Sequence, residues 1–229
     1  MPVLDMTLAR DGKVCFWTSS VGRKLLMALT GFAMIGFVTV HMIGNLTAWM
    51  GATAMNGYAH FLQTMAHEKG IWVFRSGLLA ILLVHLWAAT SLTLDNWAAR
   101  PKGYRKQKLQ ATWASRSMRY TAFFLAAFVV YHLLHLTVGS VHPEFVHGKA
   151  FENFVHGFKD PVASSVYIIA NFCLGLHIWH GVWSFSQTLG LAHPRYDACR
   201  RHLATLWAMA VTGVNILYPV AVMCDWIRL

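Results

Sequence analysis

Thirteen histidines punctuate the chain, and six of them (His41, His85, His132, His135, His177 and His180) stand inside long apolar stretches. Imidazole can carry protons, hydrogen-bond, or ligate a metal through a neutral ring nitrogen. In hydrocarbon such a polar ring is costly, so it faces a bundle interior, a cavity or a cofactor. A lone membrane histidine is most often a hydrogen-bonded bundle residue. Here four successive apolar stretches each carry at least one, and the fifth carries none. Measured from the ends that border the basic loops, His41 and His132 lie roughly 24 and 20 Å deep at helical rise. His85 and His177 lie roughly 15 to 17 Å deep on the same measure. Two levels emerge, with two rings at each. That is the donor set of bis-histidine ligation, in which facing helices give one imidazole to each face of a b-type haem. Two such groups, stacked, would make an electron path across a membrane. Small residues accompany the rings: Gly31 and Gly36 precede His41, Gly44 follows it, and Gly181 lies one turn beyond His177. A missing side chain lets a flat macrocycle, or simply a neighbouring helix, come close.

The elements that must position these rings are apolar stretches at about 25–50, 71–95, 119–141, 163–190 and 203–224. Each can cross about 30 Å of hydrocarbon at about 1.5 Å per residue. They lack period-2 alternation, so they read as helices rather than barrel strands. The expected fold is all-α: one membrane domain over 1–229, five transmembrane helices and short connections. Composition agrees, since 56% of the 229 residues are apolar and only 12% charged, with a mean hydropathy of +0.45. Soluble domains carry about 25% charged residues. The net charge of +10 would point to nucleic acid in a soluble chain. Here the cations lie between spans, where membrane orientation explains them and no nucleic acid is called for. Basic residues fill the N-terminal segment (Arg10, Lys13, Arg23, Lys24), the second connection (Arg100, Lys102, Arg105, Lys106, Lys108, Arg116) and the fourth (Arg195, Arg200, Arg201). The first and third connections are poorer or balanced. The N-terminus is therefore expected in the cytoplasm and the C-terminus outside.

Other signals narrow the reading. Four scattered cysteines without a CxxC pair indicate neither a disulfide framework nor a zinc site. There is no GxGxxG fingerprint, P-loop or iron–sulfur cysteine spacing. Asp5, Arg10, Asp11 and Lys13 interrupt the first 20 residues, so no cleavable signal peptide is expected. Trp17, Trp49, Trp72, Trp97, Trp113 and Trp226 fall near span ends, as an interfacial aromatic belt requires.

Four segments in order carry a family resemblance: FVTVHMIGN around His41, LLVHLWA around His85, RYTAFFLAAFVVYH ending at His132, and LHIWHGVWSFSQTLGL from Leu176. Over about residues 19–225 the chain resembles the di-haem cytochrome b anchor of succinate dehydrogenases and fumarate reductases, in its five-helix, single-anchor b558-like form. The resemblance implies two b haems, one held by His41 and His132 and one, nearer the catalytic subunits, by His85 and His177. His135 and His180, each one turn away, are alternative ligands or propionate contacts. Arg119 and Thr121 precede His132 at family-like distances and favour it, and Gly181 favours His177. The implied partners are an iron–sulfur subunit and a flavoprotein on the cytoplasmic side of a bacterial membrane. The flavoprotein would hold the succinate–fumarate chemistry of the tricarboxylic acid cycle, leaving no catalytic residue here. Electrons would pass between the iron–sulfur subunit and quinone, by resemblance menaquinone. Gly175 stands where some fumarate reductases have a proton-carrying glutamate, which favours succinate oxidation.

Quinone contacts are expected from His60, Gln63, His67 and Glu68 at the outer end, or from Ser19, Ser20 and Arg23 at the inner end. The alternatives are a hydrated loop, a helix N-cap at Ser20 and a topology anchor at Arg23. Arg75, Arg119 and Lys24 are candidates for propionate contacts. Arg100, Lys102, Arg105 and Lys106 read as a topology signal, or as a surface for acidic lipid or the iron–sulfur subunit. Rival readings are the cytochrome b anchor of a nitrate reductase, formate dehydrogenase or hydrogenase, and a haem-free transporter.

Overall fold

Ser19 opens the first span: its hydroxyl accepts a hydrogen bond from the Gly22 amide at 3.0 Å and caps α1 (Ser20–Asn45). The cap is Ser19 rather than Ser20, which is the first helical residue. In this computed structural model residues 16–99 and 113–229 are described, with side chains of α4 from Arg116 onward. The cations of 100–112 and everything before Phe16, including Arg10, Lys13, Arg100, Lys102, Arg105, Lys106 and Lys108, lie outside the described residues.

After α1 come a 3-10 turn (Leu46–Met50), α2 (Ala52–Thr64), α3 (Lys69–Ala98), α4 (Trp113–Leu133), a π turn (Leu134–Val138), α5 (Ala150–Lys159), α6 (Pro161–Thr188) and α7 (Asp197–Met223). Among the described residues there is no strand. Five helical segments are long and apolar enough to cross a membrane: Ser20–Met50, Lys69–Ala98, Arg116–Val138, Pro161–Thr188 and Pro194–Met223. The protein is thus an all-α, integral membrane bundle. α6 is its hub, packing on α1, α4, α5 and α7, while α3 leans on α1. Two apolar cores follow, one of Ile35, Met42, Ile178, Val182, Ala204, Ala208 and Val211 between α1, α6 and α7. The other gathers Phe151, Phe154, Val155, Phe158, Tyr167, Tyr218, Ala221 and Val222.

That second core reveals what the apolar stretches did not announce. The first and third connections are not plain loops, because α2 and α5 form within them and close one end of the bundle. In α5, Phe151, Phe154, Val155 and Phe158 recur at i, i+3, i+4 and i+7, one apolar face turned onto the spans. Asp160 then caps α6 through Val162 N and Ala163 N, with Pro161 at the first helical position. The two ends of the bundle differ: Arg23, Lys24, Arg119, Arg200 and Arg201 mark a basic end, and α2, α5 and the 139–149 loop cover the far end.

Candidate functional site

Two pairs of imidazoles face one another between spans. His85 of α3 and His177 of α6 have ring centres 6.4 Å apart, with planes at 60°. His41 of α1 and His132 of α4 have centres 5.9 Å apart, with planes at 86°. Two imidazoles bound on opposite sides of one metal at about 2 Å each would hold their centres roughly 6 Å apart. The separation of ring centres in both pairs matches that spacing, and each pair draws its rings from two different helices. Among the described residues no group of three or more His, Cys, Asp or Glu could form a metal cage.

The hydrogen bonds around the rings decide which nitrogen each can offer. Thr30 donates its hydroxyl to Leu26 O at 2.6 Å, so its oxygen accepts from His85 Nδ1–H at 3.1 Å. With that donor order the proton sits on Nδ1 and the Nε2 lone pair is left for a ligand, the arrangement that metal-bound histidines use. Gly31, next to Thr30, makes room for this ring: a Cβ there would stand 3.2 Å from His85 Cε1. His177 buries its Nδ1 with no hydrogen-bond partner. A buried polar nitrogen without a partner is costly. In the other pair, His132 Nδ1 lies 3.2 Å from the Tyr167 hydroxyl. The Asn45 amide sits 3.3 Å from His41 Nε2, so that amide must turn aside before Nε2 can bind a metal.

The glycines divide. Gly36 and Gly181 both border open space, but Gly36 is exposed on the bundle surface, whereas Gly181 is half-buried, as a planar group lying against α6 would need. Gly44 instead serves packing, because a side chain there would collide with the Tyr58 ring. Gly175 abuts Thr212 on α7, so a side chain there would run into the Thr212 hydroxyl.

Other expected residues fall in less concerted places. His135 is 3% exposed and sits in the π turn, its Nδ1 3.1 Å from the same Tyr167 hydroxyl. His180 is half-buried on α6. His60, Gln63, His67 and Glu68 are all exposed around the end of α2 and are not drawn into a common pocket. Ser19 is occupied as the cap, and it also donates to Phe16 O at 2.9 Å. Arg23 pairs with Asp95 at 2.5 Å, tying α1 to α3, and donates to Thr18 O at 3.1 Å. Arg119 lies over the Trp97 ring at 5.6 Å, and Lys24 is exposed near the start of α1. Arg75 lies over Trp72 at 5.2 Å near the start of α3, at the far end, so these three cations cannot serve one site.

Sequence reading missed Thr30, Asn45, Tyr167, His142 and Asn153. His142 is 5% exposed; its Nε2 donates to Asn153 O at 2.9 Å, and its Nδ1 accepts from Glu144 N at 3.2 Å. The faint signal for it was a histidine in HPEFVHG, between two apolar stretches; for the others, contacts between helices far apart in sequence were needed.

Similarity to known proteins is distant. Among curated proteins the chain is similar to the succinate dehydrogenase cytochrome b558 subunit of Bacillus subtilis (strain 168). The two are 23% identical over 195 residues, covering 84% of this chain and 92% of the relative. No protein-family model matches the chain, and no solved structure does.

Proposed function

We propose that the chain is the membrane anchor of a succinate:quinone oxidoreductase and carries two b haems, one between His85 and His177 and one between His41 and His132. The observation that carries this reading is the pair of facing imidazoles at 6.4 and 5.9 Å, contributed by four different spans. The Thr30 bond and the open space beside Gly181 support it. The distant relative, itself a succinate dehydrogenase cytochrome b subunit, supports the choice of complex. When bound, the haems supply one-electron redox chemistry; the protein sets their ligation, spacing and electrostatics.

The chain's own residues then have defined tasks. Thr30 holds the His85 tautomer, and Gly31 admits the ring beside it. His85 and His177 lie toward the middle of their helices, in the path of electrons from an iron–sulfur subunit docked at the basic end. The cation excess at that end supports a cytoplasmic orientation for it. His41 and His132 lie near the far end, where quinone, by resemblance menaquinone, would exchange electrons; His60 and Gln63 on α2 are the proposed donors to its carbonyl. The succinate chemistry belongs to the flavoprotein partner. Purification of the whole complex with a pyridine haemochrome count tests this reading. It predicts two b haems per chain, with an iron–sulfur subunit and a flavoprotein bound. One haem or none after full cofactor supply contradicts it, and partners of another oxidoreductase would reassign the complex.

A further inference from the structure

Tyr167 stands at a junction that the function above does not require. Its hydroxyl lies 3.2 Å from His132 Nδ1 and 3.1 Å from His135 Nδ1, so one oxygen serves two imidazoles. The ring itself is locked: Phe128 and Phe158 meet it edge-on at 5.0 and 4.8 Å, and the residue is 5% exposed. His135 is equally fixed. It is stacked between Tyr131, at 5.3 Å and 11°, and His142, at 5.0 Å and 24°. His142 is pinned in turn by its bonds to Asn153 O and Glu144 N. Gly157 of α5 leaves room for the pair, since a Cβ there would lie 2.9 Å from His135 Cε1 and 3.1 Å from His142 Nε2. The π turn carries His135 into this stack, and the left-handed Gly139 (φ 83°) ends it.

A phenol has one proton to give and lone pairs to accept with. The two imidazoles therefore cannot both accept from Tyr167. We infer that Tyr167 is the positioning residue of His132: it accepts from His132 Nδ1–H and donates to His135 Nδ1, holding the Nε2 of His132 toward a metal. The inference rests on the proposal that His132 is a haem ligand. It also separates the two neighbouring histidines by role, with His132 facing the metal and His135 anchoring the tyrosine. A hydrogen bond accepted from the distal nitrogen makes an imidazole ligand more basic. More basic axial ligands favour ferric over ferrous iron, a lever by which a protein tunes haem potential.

The test uses the full complex in native membranes, with haem potentials read by redox titration of the α band. Tyr167→Phe keeps the ring and removes the hydroxyl. The expected result is two retained haems and a higher midpoint potential for one of them, the haem that is lost in His132→Ala. A tenfold weaker ferric preference corresponds to about 59 mV for one electron. His135→Leu should move the same haem in the same direction by less, and His135→Gln, which can still accept, should restore most of it. Unchanged potentials in Tyr167→Phe with both haems present would overturn the inference and leave the functional reading standing. If Tyr167→Phe fails to assemble, the His135 pair decides: equal potentials in the Leu and Gln variants overturn it. A wild-type complex without haem removes the reading beneath it.

Discussion

His85 and His177 face each other across elements that do nothing but span, whereas His41 and His132 sit where the bundle is closed by pieces that do not. The first pair is oriented with residues of the spans themselves: a threonine hydroxyl, a glycine and one buried nitrogen left without a partner. In the second, His132 is surrounded by a π turn, α5, and a run of contacts: hydrogen bonds to Tyr167 and on to His135, a ring stack onto His142, and a hydrogen bond to Asn153. The contrast teaches that a site within a helix bundle can be built from helix spacing alone. A site near its end must also be sealed, and sealing takes long-range polar contacts.

Alanine at each proposed ligand would break the comparison most visibly. His85→Ala and His177→Ala are each expected to abolish the same b haem and spare the other, and His41→Ala and His132→Ala the reverse. Spectra of the four variants check this; loss of different haems within a pair would end that pairing. Next in size is Thr30→Val, which keeps the shape but removes the acceptor for His85 Nδ1–H. About 10–100-fold weaker retention is expected at the His85–His177 site, with the far pair untouched, measured by haem transfer to an acceptor protein.

The far end should respond to its own clasp. Asn56 donates to Glu152 at 2.8 Å and accepts from Phe151 N at 2.9 Å, tying α2 to α5. Asn56→Leu is expected to cost about 1–3 kcal/mol by leaving the Phe151 amide unpaired. In a melt followed by absorbance, the His41–His132 haem should bleach before the other.

Smaller still is a pH effect. The Asn56 amide, helped by the backbone, holds the Glu152 carboxyl below the ordinary range, and the Lys159 ammonium does the same for Asp225. A depressed pKa adds stability above the unfolded value of about 4, lost as pH falls through the folded value. The stability gap between wild type and Asn56→Leu should therefore narrow below about pH 4. Lys159→Met should have little effect at any pH, because the Lys159–Asp225 pair is exposed.

The spans and their six histidines were legible because hydrocarbon imposes a strong pattern: long apolar runs in which any imidazole stands out. Boundaries moved unevenly: the stretch at 119–141 became Arg116–Val138 with its last turn widened, and the stretch at 203–224 became part of a helix that already starts at Asp197. The segments α2 and α5 were not legible, since NGYAHFLQTMAHEKG and AFENFVHGFK mix apolar and polar residues over lengths too short to span. Tyr167 looked like one more aromatic on a transmembrane helix. Its role depends on Phe128, Phe158 and two histidines meeting it from other elements, which no local pattern encodes.

A density map of the intact complex tests the central claim most directly. The account predicts two tetrapyrroles, one bridged by Nε2 of His85 and His177 and one by His41 and His132, with Asn45 turned away from His41. Rings bonded only to protein groups or water, with no macrocycle between them, would contradict it.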